Sequence, residues 1–193
     1  MSWLEALAAL FGVANILLIV RRSVWNFPAA LVMVSLTGVV LWEAKLYSDA
    51  GLQVFFFLVN ILGWVLWARN RGAAGEIIVD RLGAVGQLLW IALAMAATYG
   101  WGLFMALNTD ATNPWWDASV AMLSIAAQIL MTRRYINNWH WWIVVNILSI
   151  GLYWHKQLYV FTGLYVIFLG MAVWGLIEWR RAEARQRARA ASA

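Results

Sequence analysis

None of the 193 residues is cysteine, only two are proline, and Asp, Glu, Lys and Arg together make up just 12%. Without cysteine there are no disulfides, no thiolate nucleophile and no thiolate ligand for a metal. So few charges cannot clothe a soluble domain of this length. What the chain has instead is apolar bulk: 64% hydrophobic residues, 15 of the 193 being Trp. Apolar runs of about 17 to 25 residues recur along it, the length that spans a bilayer's hydrocarbon. The composition therefore predicts an all-α membrane protein. The net charge of +5 sits in short arginine clusters between apolar runs, which suits topology and anionic lipid headgroups and gives no reason to expect nucleic acid.

Seven runs are read as seven transmembrane helices: about Trp3 to Val20, Val24 to Trp42, Leu46 to Trp67, Gly83 to Leu107, Trp115 to Thr132, Trp139 to Trp154 and Leu158 to Trp179. The first run carries Glu5 near its start, and its Arg21-Arg22 pair follows the apolar stretch, so it is expected to stay as a membrane helix rather than act as a secretory signal. Basic residues alternate strongly between the two sides. Arg21, Arg22, Arg69, Arg71, Arg81, Arg133, Arg134 and the arginines from Arg180 to Arg189 fall on one side, and only Lys45 and Lys156 on the other. Cytoplasmic loops retain Lys and Arg, so the amino terminus is expected outside and the carboxyl terminus in the cytoplasm. Trp3, Trp42, Trp115 and Trp179 near run ends suit the headgroup belt.

Sliding the sequence by 112 positions lays residues 3–69 on 115–181 without a gap, with 20 identities in 67 pairs. The matches include Arg21-Arg22 with Arg133-Arg134, Asn26 with Asn138, Leu46-Tyr47 with Leu158-Tyr159, Gly63 with Gly175 and Trp67 with Trp179. Two consecutive three-helix copies point in opposite directions unless another span intervenes, and the fourth run supplies it. The expected architecture is 3+1+3 with parallel repeats. It divides into a first repeat over 1–69, a cytoplasmic loop and linker helix over 70–114, a second repeat over 115–181, and an Arg-rich cytoplasmic tail over 182–193.

A two-fold scaffold that holds an asymmetric ligand has to break its symmetry where the ligand is read. The pairs that diverge in polarity or bulk are Gln53/Tyr165, Asn60/Ala172, Trp64/Leu176, Val34/Asn146, Ala30/Trp142, Leu41/Tyr153 and Ile16/Gln128. Gln53, Asn60, Trp64 and Trp67 follow a three-and-four rhythm on one helical face, and Trp142, Asn146, Ser149 and Tyr153 follow a similar one. An amide moved into hydrocarbon without a partner costs several kcal/mol, so these stripes are expected to face each other across a cavity. The candidate site is therefore Gln53, Asn60, Trp64, Gln128, Trp142, Asn146, Tyr153 and Tyr165. Amides offer donors and acceptors without proton exchange, and aromatic faces sandwich a ring or attract a delocalised cation. The expected ligand is small, flat and hydroxylated or amide-bearing. The plainer alternative is that the amides only join helices, at about 1 kcal/mol each.

No charged residue falls near the middle of a run, and Glu5, Asp49, Asp117, Glu178, His140 and His155 all lie toward ends. No buried proton relay is visible, and passive movement down a gradient is inferred. Asp117 reads as a helix-start residue or an interhelical partner. A retinal protein needs a lysine inside its last span, whereas Lys45 and Lys156 occupy loop positions. An enzyme needs a nucleophile with a base, paired acids or a metal cluster, and neither such a group nor a cofactor site is expected.

LQVFFFLVNILGWVLWAR from Leu52 and WWDASVAMLSIAAQILMTRRYINNWHWWIVVNILSIGLY from Trp115 resemble the PnuC family of bacterial vitamin transporters, over nearly the whole chain. The resemblance implies a fold similar to the SWEET sugar carriers, a homotrimer among membrane lipids of the cytoplasmic membrane, and facilitated diffusion followed by cytosolic phosphorylation. At matching positions it implies Gln53, Asn60, Trp64 and Asn146 as substrate contacts. The expected substrate is nicotinamide riboside, with thiamine or riboflavin as alternatives in the same family. A substrate-binding component of an energised importer is the reading from another class.

Overall fold

Runs of apolar residues in oil have to satisfy their own backbone groups, and a helix does so within one segment. In a computed structural model the described residues form seven α-helices: α1 Trp3–Val20, α2 Asn26–Glu43, α3 Tyr47–Arg69, α4 Ala84–Asn108, α5 Pro114–Thr132, α6 Asn138–His155 and α7 Tyr159–Ala191. The structure describes residues 3–43, 47–70, 77–109, 111–157 and 159–192. Lys45 and Arg71 from the basic count, and the paired run starts Leu46 and Leu158, lie outside the described residues. Among the described residues, four segments are long and apolar enough to cross a bilayer: Trp3–Val20, Ala50–Arg69, Ala84–Asn108 and Phe161–Ala191. In α2 the stretch Asn26–Val40 is apolar but shorter, and polar side chains dilute α5 and α6, for instance Ser124 and Gln128, and Asn146 and Ser149.

The ends of α1 and α5 close alike. Arg22 and Arg134 have φ of 56° and 63°, the left-handed region that usually takes glycine. After α1, Ser23 N–H donates to the Leu18 carbonyl at 2.9 Å and Arg22 N–H to Ile19 at 2.8 Å. This is the Schellman pattern, with an arginine where glycine is commoner. After α5, Tyr135 N–H donates to Leu130 at 3.0 Å. The next helix then starts with a buried asparagine bonded back into the turn, Asn26 Nδ2 to the Ser23 carbonyl at 2.6 Å and Asn138 Nδ2 to Tyr135 at 2.7 Å. The identical residues at these positions therefore make one turn twice.

The chain divides into two compact units. The first comprises Met1–Val79, Thr132–Arg134 and Glu178–Ala193. Within it α1 packs on α2 and α2 on α3. Its centre is aromatic: Phe27, Trp67 and Trp179 are fully buried. Phe27 meets Trp67 edge-on at 5.2 Å, and Trp67 lies 5.8 Å from Trp179. Gly63 admits the Phe27 ring, because a Cβ there would collide with it. Two expectations are corrected here. Trp179 does not sit in the headgroup belt, since its indole is buried and donates to the Ile19 carbonyl at 3.0 Å. Trp67 does not share the ligand-facing stripe, since Phe27 and Trp179 enclose it. Trp3 and Trp42 are exposed.

The second unit comprises Asp80–Met131 and Tyr135–Ile177. Here too a glycine admits a ring: a Cβ on Gly175 would strike the Trp139 indole, the contact of Gly63 with Phe27 moved by 112 positions. Trp116 lies over Gly151 and donates from Nε1 to the Leu148 carbonyl at 3.0 Å, tying α5 to α6. Beside it Lys156 Nζ reaches Asp117 at 2.9 Å, so Asp117 is an interhelical partner. The incoming segment is fastened by Ile136 N–H to the Asp80 carbonyl at 2.8 Å and Leu82 N–H to Asn137 Oδ1 at 2.8 Å.

The segment expected as a tail continues α7 as helix to Ala191. Its residues are mostly Ala, Arg and Glu, strong helix formers. Glu183 pairs with Arg187 at 2.7 Å one turn on, and Glu178 with Arg181 at 2.6 Å.

Candidate functional site

The most developed polar and aromatic cluster lies in the second unit, between α6 and α7. Spacings of four, three and four put Trp142, Asn146, Ser149 and Tyr153 along one stripe of α6. Asn146 is 4% exposed and Ser149 fully buried, while Trp142 and Tyr153 are half-buried. Across from them, Phe161, Tyr165 and Phe168 follow each other on α7 at four and three residues. Tyr153 stacks on Phe161 at 5.5 Å and meets Tyr165 in a tilted contact at 5.1 Å, and Tyr165 meets Phe168 edge-on at 5.6 Å. The Tyr165 hydroxyl is turned toward Tyr153 and Ser149. Ser149 Oγ nevertheless closes no bond of good geometry. A buried hydroxyl left in that state costs about 1 to 3 kcal/mol, which a hydroxylated ligand can offset.

The expected residues of the first unit are arranged differently. Asn60 is 3% exposed, and its Nδ2 donates to the Phe56 carbonyl of its own helix at 2.8 Å. Gln53 packs against α2 where Gly38 leaves room, its Cβ 3.5 Å from where a side chain on Gly38 would begin. Trp64 is 40% exposed within the described chain. On α5 of the second unit, Gln128 is buried.

Of the eight expected residues, then, Tyr153 and Tyr165 touch each other, with Asn146 and Trp142 on the Tyr153 stripe. Ring contacts also add Phe161 and Phe168, which the sequence reading omitted. Their four-and-three spacing around Tyr165 was the available signal, but apolar aromatics in an apolar run do not stand out. The cluster is neutral. Among the described residues, no three of His, Asp and Glu gather to hold a metal.

This arrangement suits holding a flat polar ring between aromatic walls, with amide and hydroxyl groups to orient it. The chain is 28% identical to the nicotinamide riboside transporter PnuC of Escherichia coli (strain K12), over 100% of this chain and 91% of that one. It is 29% identical to the PnuC of Neisseria mucosa, over 93% of this chain and 73% of the relative. The riboflavin/roseoflavin transporter RibM of Streptomyces davaonensis is 28% identical, over 92% and 84% respectively. A crystal structure of the vitamin B3 transporter PnuC superposes with a TM-score of 0.80 at 28% identity, covering 95% of this chain and 83% of the other. Residues 2–181 match the family described as nicotinamide mononucleotide transporter. The match spans all seven helices except the end of α7, and the chain belongs to that family.

Proposed function

We propose that this protein carries nicotinamide riboside across the bacterial cytoplasmic membrane by facilitated diffusion, and that cytosolic phosphorylation then prevents its return. The observation that carries this reading is the neutral cluster of Asn146, Ser149, Tyr153 and Tyr165, together with relatives named for that substrate. Aromatic faces favour a delocalised cation such as a pyridinium ring, and the amide and hydroxyl groups match a ribose and a carboxamide. A phosphorylated substrate would bring two negative charges to a cluster that contains no cation. The riboside fits better than the mononucleotide.

In this reading all seven helices cross the membrane in a 3+1+3 arrangement of parallel repeats similar to the SWEET carriers, with the boundaries set by the 112-residue shift. The turns at Arg22 and Arg134, the buried Asn26 and Asn138, and the ring-bearing Gly63 and Gly175 support it. The arginine asymmetry puts the amino terminus outside and the carboxyl terminus in the cytoplasm. Gln53, Asn60, Trp64, Gln128 and Trp142 are the further substrate contacts in this reading, and the protein works as a homotrimer in lipid.

Riboflavin is the second reading, since RibM is about as similar as the PnuC relatives. Calorimetry of the purified protein against nicotinamide riboside, thiamine and riboflavin separates them. Nicotinamide riboside should bind at least tenfold more tightly than the others, and tighter riboflavin binding would reassign the substrate. Uptake into proteoliposomes without ATP or a partner protein distinguishes a carrier from the binding component of an energised importer.

A further inference from the structure

An amide costs most in the middle of a membrane helix, where no water is at hand to bond it. The only charged or amide residues of α1 are Glu5, in its first turn, and Asn15. Asn15 stands twelve residues from Trp3 and five from Val20, about 18 Å and about 7.5 Å along the axis. It also faces inward. Ala8, Gly12 and Ile19 are buried positions of this helix, and Asn15 falls among them at spacings of four, three and four. Its Oδ1 is buried and, among the described residues, accepts no hydrogen bond.

Helix packing does not account for this amide. The ordinary task of an amide in a membrane is to join helices, and a join needs a partner. Asn26 and Asn138 also leave Oδ1 without one, but both repeats keep that residue, and its Nδ2 closes the same turn in each. Asn15 instead corresponds to Ala127 under the 112-residue shift, and Ala127 is fully buried in the second unit. A methyl group is enough at the equivalent position. Asn15/Ala127 is thus a further pair at which the repeats part in polarity.

We propose that Asn15 is a substrate contact, its Oδ1 accepting a hydrogen bond from a hydroxyl or amide N–H of the carried vitamin. The assignment rests on the proposed transport of nicotinamide riboside, whose ribose hydroxyls and carboxamide supply such donors, and it brings α1 into the site. A site whose buried polar group is met only by the ligand discriminates strongly against molecules that lack the matching group. The empty protein bears the cost meanwhile. Replacing an unmet buried polar group by an apolar one of similar shape is neutral or stabilising, whereas removing an amide that holds helices together destabilises. Stability and affinity therefore move apart for a residue kept for a ligand, and fall together for one kept for the fold.

Thermal unfolding of the ligand-free, full-length protein in detergent and calorimetry against nicotinamide riboside read the two quantities. Asn15→Leu, close to isosteric, should keep its Tm at or above the parent's while the dissociation constant rises at least tenfold. Asn15→Ala copies the residue of the second repeat and should weaken binding as much, which covers the case of a leucine that fits badly. Unchanged affinity in either variant overturns the proposal. A loss of binding matched by a lower Tm in both variants overturns it too, since the amide would then serve the fold. Asn146→Leu separates failure here from failure of the transport reading. If it loses affinity and the Asn15 variants do not, only the assignment of Asn15 falls, whereas a parent protein that does not bind nicotinamide riboside removes both.

Discussion

A buried asparagine has two donors and two acceptor sites to satisfy, and in an apolar layer each unmet group is expensive. Asn26 and Asn138 meet one donor locally, each Nδ2 bonding the carbonyl three residues back while Oδ1 stays buried without a partner, and the repeat keeps both. Asn146 has Val34 at the corresponding position of the other half and lies near the unfilled Ser149 hydroxyl. In the proposed function, that contrast separates a structural amide from one that contacts the substrate. In calorimetry, Asn146→Leu should weaken vitamin binding at least about tenfold, or roughly 1.4 kcal/mol, while the protein still folds. Trp3→Phe, at an exposed position, should leave affinity unchanged. Unaltered affinity in Asn146→Leu would remove α6 from the site. The sequence marks Asn146, Tyr153 and Tyr165 through broken symmetry, yet it cannot show that Tyr153 and Tyr165 meet, because spacing orders side chains along one helix and not between two.

Elements were more legible than their ends. Apolar runs of bilayer length marked all seven helices, since hydrophobic length and helix formation coincide in lipid. Where hydropathy drops at Arg180, the run stops but the helix does not, because Ala, Arg and Glu favour helix for reasons unrelated to oil. The same limit explains Trp179. Its position at a run end suggests an interfacial anchor, but its burial is decided by Trp67 and by the end of α1, both distant in sequence. Trp179→Phe keeps an aromatic ring but is smaller than the indole and removes the N–H donated to the Ile19 carbonyl. Arg22 N–H also reaches that carbonyl, so the oxygen is not orphaned and the lost bond should cost about 1 kcal/mol, with the cavity left at this buried position adding to it. Thermal unfolding in detergent should show a modest fall in Tm, with vitamin affinity preserved. A Tm equal to the parent's would mean that the indole bond contributes nothing.

At the scale of the whole molecule, charge is confined to the ends of the apolar runs, and what passes between those ends carries only its own charge. Nicotinamide riboside and thiamine are cations, whereas riboflavin is neutral. A carrier without a charged group in its passage, and without a coupled ion, must move a cation electrogenically. The membrane potential then contributes about 2.3 kcal/mol per 100 mV for each charge, and 1.4 kcal/mol is a factor of ten, so 100 mV negative inside should concentrate the cation roughly 50-fold. Proteoliposomes with a potassium diffusion potential set by valinomycin test this directly, with accumulated vitamin as the readout. Collapsing the potential should return the inside and outside concentrations to equality, and a riboflavin carrier would show equality throughout. If a bound cationic vitamin equilibrates to the same level at every imposed potential, a compensating ion crosses with it, and simple facilitated diffusion is the wrong mechanism for this chain.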